Sequence, residues 1–114
     1  MWENVRRINV EKLTVTEWLN VKNLTKNEID FLLTFIPTIN YLQKCSDKKT
    51  VAYKMFKEQF PTFIVEQEFN YYEYELLNSV IQINIPNKIS TKELLERMSE
   101  QGFCKPFCDS FLNN

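Results

Sequence analysis

Three segments of the chain carry the same helix-starting signature. Thr14-Val-Thr-Glu17, Thr25-Lys-Asn-Glu28 and Ser90-Thr-Lys-Glu93 each set a hydroxyl residue three positions before a glutamate. In that spacing the hydroxyl accepts from the amide three residues on, and the glutamate reaches back to the cap amide. Each box is also flanked by an apolar pair, Leu13 with Trp18, Leu24 with Ile29 and Ile89 with Leu94. Such a pair clamps the chain entering a helix. Box and clamp together, repeated along the chain, point to a mainly α fold.

The rest of the chain reads around those starts. The first helix spans roughly Val15 to Lys22. The second begins at Lys26 with Ile29, Leu32, Leu33 and Ile36 on one face. Pro37 should end or kink it, having no amide donor and crowding the preceding turn. Thr38 to Lys44 then forms a separate turn. A third helix fits Asp47 to Phe60, with Val51, Met55, Ala52 and Phe56 inward and Pro61 after it. A further helix runs from Thr91 to Gln101 with Leu94, Leu95 and Met98 inward. Gly102 sits where a left-handed stop is wanted, with Phe103 folding back on Met98. Phe103, Phe107 and Phe111 recur at spacing four, so the tail from Cys104 to Asn114 is expected to dock as a helical turn.

The stretch from Thr62 to Asn84 supports two readings. A stripe of Val65, Phe69, Tyr72, Leu76 and Val80 fits a helix from Glu66 to Ser79, followed by a short extended piece over 80–85. Alternation of Phe63, Val65, Phe69 and Tyr71, then of Ile81, Ile83 and Ile85, fits strands instead. The expectation is therefore a compact single domain over 1–114, a bundle of about five short helices. The alternative is an α+β fold with a small antiparallel sheet from 62–70 and 79–85.

Size and charge agree with one domain. The 114 residues have a mass of 13.7 kDa. A chain of that mass should bury about two thirds of its surface, enough for a core without disulfide staples. There are 14 basic and 15 acidic residues. That balance excludes a histone-like nucleic-acid binder and an acidic, solvating tail. Asn, Lys and Ile are abundant while Gly102 and Ala52 are the sole representatives of their types. The abundant three have AT-rich codons, a bias shared with low-GC bacteria, phages and mobile elements.

Catalytic chemistry finds little to work with. There is no histidine, the commonest general base and metal ligand. One glycine cannot build a phosphate-cradling loop. Cys45, Cys104 and Cys108 make an odd set with no framework spacing, which fits a reduced, cytoplasmic chain. Cys104 and Cys108 with Asp109 would make an uncommon zinc set, so no metal and no cofactor are expected. The acid pairs, such as Glu93 with Glu96, read as solvated helix faces. The charged start Met1 to Arg7 has no signal-like apolar run behind it, and Phe31 to Ile36 is too short to span a bilayer. A non-enzyme away from membranes is expected.

Two surfaces remain as binding candidates. Glu66-Gln-Glu-Phe-Asn-Tyr-Tyr-Glu-Tyr-Glu75 holds four acids, no base and four aromatic rings. Tyrosine gives large contact area at low rotamer cost, and carboxylates steer a basic partner. On a helix, Phe69, Tyr72 and Leu76 would point inward. Glu66, Glu68, Tyr71, Glu73, Tyr74, Glu75 and Asn78 would then form the partner-binding face. This acid-tyrosine mixture is similar in chemistry to the patch that nuclease-colicin immunity proteins present to their basic toxins, with no shared motif. The expected function is a small inhibitor or immunity protein that occludes a basic surface, in a toxin–immunity, phage or mobile-element setting. The alternative is a nucleic-acid-binding transcriptional regulator using Lys44, Lys48, Lys49, Lys54 and Lys57. That segment lacks arginine, the commonest base reader.

Overall fold

A computed structural model describes residues 13–112. The charged N-terminal stretch before Leu13 and the last two residues lie outside that range. Six α-helices make up most of the described chain: α1 (Val15–Val21), α2 (Lys26–Lys44), α3 (Lys49–Gln59), α4 (Tyr74–Asn84), α5 (Thr91–Glu100) and α6 (Lys105–Leu112). A 3-10 turn, Ser46–Lys48, joins α2 to α3. Among the described residues there is no strand, so the fold is mainly α and the α+β alternative falls.

The capping chemistry explains the helix starts. Thr14 and Thr25 form full reciprocal boxes with Glu17 and Glu28. At α5 only half the box forms. The Ser90 hydroxyl accepts from the Glu93 amide, but the Glu93 carboxylate takes the Arg97 guanidinium instead, at 3.3 Å. The stops are equally local. Gly102 has φ +72°, and the amides of Gly102 and Phe103 return to the carbonyls of Ser99 and Met98. This is the expected Schellman stop. Asn23, at φ 66°, plays the glycine's part after α1, with the Leu24 amide returning to the Leu19 carbonyl. Asn tolerates that region better than most residues.

Pro37 does not end its helix. α2 runs through it to Lys44. An internal proline costs about 3 kcal/mol. Phe35, Ile36, Ile39 and Leu42 flank it and are all buried. At about 1.5–3 kcal/mol for each buried side chain, continuing the helix wins. The Thr38 hydroxyl also donates to the Thr34 carbonyl at 2.7 Å, within the turn the proline disturbs.

The inner face of α3 differs from the expected one. Tyr53, Phe56 and the following Phe60 are buried and Ala52 is half-buried, whereas Val51 and Met55 face solvent. The reason is a ring cluster. Phe31 stacks on Phe63 at 4.4 Å and on Phe35 at 5.5 Å. Phe56 meets Phe60 at 4.9 Å and Phe35 at 5.6 Å. Large rings bury more area than Val or Met, and their rotation of α3 sets its face.

The largest correction concerns 62–85. α4 starts at Tyr74 rather than near Glu66, and it continues through 80–85 rather than giving way to an extended piece. Leu77, Val80, Ile81 and Ile85 are buried while Ile83 is exposed, a helical and not an alternating pattern. Residues 61–73 form consecutive turns. Side chains satisfy much of their backbone. The Asn84 amide group accepts from the Ile64 N–H at 2.7 Å and donates to the Ile64 carbonyl at 2.9 Å. The Asn70 side chain accepts from the Tyr72 N–H in an Asx turn. Polar side chains here replace the ladder that a strand would have needed.

The remaining elements close over this core. Gln101 ties α5 to the start of α1, accepting from the Val15 amide at 2.9 Å. The Arg97 guanidinium lies 4.9 Å from the centre of the Trp18 ring. Lys88 bonds the Glu28 carboxylate at 2.8 Å and pins the 86–90 turn to the start of α2.

Candidate functional site

The turns between Pro61 and Glu73, with α4, carry the expected partner-binding residues, but not in the expected orientation. Tyr71 is 3% exposed, not outward. Its ring meets Phe35 edge-on at 5.3 Å, and its hydroxyl accepts from the Glu66 amide at 2.8 Å. Phe69, expected inside, is 49% exposed. Tyr72, also expected inside, is 39% exposed, and its hydroxyl donates to the Ile39 carbonyl at 3.1 Å. Helical spacing does not apply before Tyr74, so a helical wheel assigns these rings to the wrong sides. Within α4, Tyr74 and Glu75 are exposed and Asn78 is half-buried.

The acids do face solvent. Glu66, Glu68, Glu73 and Glu75 are all exposed, and none is paired with a cation among the described residues. Beside Glu66 lies an apolar surface that periodicity does not reveal. Ile64, Phe69 and Ile83 are 56%, 49% and 59% exposed. With Leu76, Ser79 and Val80 they line one hollow of about 50 Å³, of which Glu66 forms part of the wall. Phe69 and Ile83 were each assigned to a regular element by spacing. Only the fold shows that the turns bring Ile64 and Phe69 against α4.

The lysines are spread over α2, the 3-10 turn and α3. Lys54 and Lys57 line a shallow hollow together with Glu58 and Gln67. Lys49 is half-buried and belongs to a different cavity. Lys44 closes α2, and Lys48 lies in the 3-10 turn.

The cysteines are free thiols, and Cys108 is buried at the α5–α6 packing. Burial pushes the Cys108 thiol up to about 12 and raises that of Cys104 as well. Both are therefore poor nucleophiles at neutral pH. Among the described residues no three His, Cys, Asp or Glu side chains are grouped to hold a metal ion. Among them, too, no helix is long and apolar enough to cross a membrane. Compared with protein-family models, curated proteins and solved structures, the chain matches none.

Proposed function

We propose that this chain is a non-catalytic protein-binding protein, an inhibitor or immunity protein that covers a basic surface of its partner. The observation that carries the reading is the exposed apolar group of Ile64, Phe69 and Ile83 beside carboxylates that have no cation of their own. Exposed apolar side chains gathered around one hollow supply contact energy. Unpaired acids around them supply long-range attraction to a basic partner and raise the encounter rate. The setting is supported by the Asn-, Lys- and Ile-rich composition, residues with AT-rich codons, which fits a low-GC bacterium, a phage or a mobile element.

The test uses a photoreactive phenylalanine analogue at position 69, with position 51 on α3 as the control. Crosslinking in cells, followed by mass spectrometry, identifies what lies against each position. A basic protein captured from position 69 and not from position 51 supports the reading, once the purified pair binds in solution. Capture of nucleic acid-dependent complexes lost on nuclease treatment, or equal capture from both positions, counts against it.

A further inference from the structure

A cavity of about 350 Å³ lies between the end of α2, the start of α3 and the 68–72 turn. It is separate from the apolar hollow, although Phe69 and Tyr71 contribute to both. Its volume is at the lower end of the range for small-molecule sites. Ile39 and Leu42 supply an aliphatic wall, and Phe69, Tyr71 and Tyr72 supply rings.

The polar groups on the cavity are mostly unused donors. Tyr53 is 5% exposed, yet its hydroxyl has no hydrogen-bond partner among the described residues. That hydroxyl is not among the sealed, unpartnered atoms of the core, so it is reachable from outside, and Tyr53 lines both this cavity and the shallow hollow of Lys54 and Lys57. Lys49, a half-buried residue on the same wall, has no carboxylate partner among the described residues. The Tyr71 oxygen accepts from Glu66, which leaves its O–H to donate. The Asn70 oxygen accepts from Tyr72, which leaves its NH₂ to donate. The Tyr72 O–H is already spent on Ile39. Against these donors stands one carboxylate, Glu68, and it is exposed.

We propose that this cavity binds a small aromatic carboxylate, its ring against the exposed Phe69 and Tyr72 side chains and its carboxylate on Lys49 and Tyr53. The site shares Phe69 with the proposed protein-binding surface but rests on Lys49 and Tyr53, which that surface does not use, so the failure of either reading is distinguishable.

Titration of the purified chain with 2-naphthoate, followed by heteronuclear NMR, tests the site. Inorganic phosphate and benzamidine serve as the anion without a ring and the ring with the opposite charge. Naphthoate should shift the amides of Lys49, Tyr53 and Asn70, while phosphate and benzamidine leave them in place. Lys49→Met should weaken naphthoate about tenfold or more, as loss of a charged hydrogen bond does. Tyr53→Phe should weaken it several-fold without disturbing the fold, because that hydroxyl bonds nothing among the described residues. Glu68→Gln should tighten it by removing a like charge from the rim. Absence of naphthoate binding at millimolar concentration overturns the proposal. So does benzamidine binding as well as naphthoate, or weaker naphthoate binding in Glu68→Gln.

Discussion

The Tyr71 hydroxyl accepts the backbone N–H of Glu66 at 2.8 Å, five residues back along the chain. This bond closes the turn that carries Phe69 outward, and it fixes which aromatic ring of the acidic segment is buried. The Tyr71 ring lies against Phe35 in the core, so the turn is anchored by packing and by one polar contact together.

Replacing Tyr71 by Phe keeps the ring and removes the acceptor. Stability should fall by about 1 kcal/mol, since Glu66 is exposed and its amide regains water. Tyr71→Ala should cost about 3–5 kcal/mol through the cavity left beside Phe35. Urea unfolding measures both. Amide exchange at Glu66 should quicken in Tyr71→Phe while exchange in α2 stays slow. Unchanged exchange at Glu66 would show that the hydroxyl does not hold the turn.

Helix starts and stops were legible because their chemistry is local. Thr14, Thr25, Ser90 and Gly102 act on neighbours within a few residues, and each occupies its expected place. The 62–73 turns were not legible, because their bonds come from Asn84, twenty residues away, and from Tyr71. Pro37 misled for a related reason: its cost is local, while the burial of Phe35 and Ile39 that offsets it is tertiary. Of the candidate surface, the solvent-facing acids could be read from composition. The apolar group of Ile64, Phe69 and Ile83 could not, since spacing cannot align residues held together by an irregular loop.

The two kinds of cap make different predictions. Glu28 accepts from the Thr25 amide and from Lys88, both at 2.8 Å. Burial pushes its carboxyl up, but Lys88 and the Thr25 amide together hold it below the ordinary glutamate range. Its contribution is therefore present above that range and is lost as pH falls through the lowered value. Glu28→Gln should destabilise at pH 7 and should flatten the acid limb of the stability profile. Glu93 lacks the reciprocal cap bond, so Glu93→Gln should cost less than about 1 kcal/mol. Ser90→Ala, which removes the cap itself, should cost about 1 kcal/mol. Denaturation at pH 7 and pH 4 ranks the three, and a Glu93→Gln loss equal to that of Glu28→Gln would contradict the assignment.

Alkaline pH should weaken the fold. The unfolded Cys108 thiol ionises near its ordinary value of 9.0, whereas burial keeps it protonated in the folded chain up to about 12. The folded state thus holds a proton that the unfolded state has lost, and stability falls as pH rises between those values. Burial raises the Tyr53 hydroxyl in the same direction. Urea midpoints at pH 7 and pH 10 should show the drop, and Cys108→Ala should reduce it. At pH 8 a disulfide reagent should leave Cys108 unmodified until the chain unfolds. Rapid labelling of Cys108 in the native state would overturn its placement.

Charge reversal on the acidic surface tests the protein-binding account most directly. Glu73 and Glu75 are exposed and unpaired among the described residues, so Glu73→Lys with Glu75→Lys should leave the melting temperature essentially unchanged. Stopped-flow association of this double variant with the partner captured from position 69 separates steering from contact. The account predicts slower association at low salt, a difference that shrinks as salt rises, and dissociation close to that of the parent chain. Phe69→Ala should show the opposite split, with association little changed and dissociation faster. Association and dissociation rates identical to the parent in both variants would place the partner elsewhere on the molecule and contradict the account.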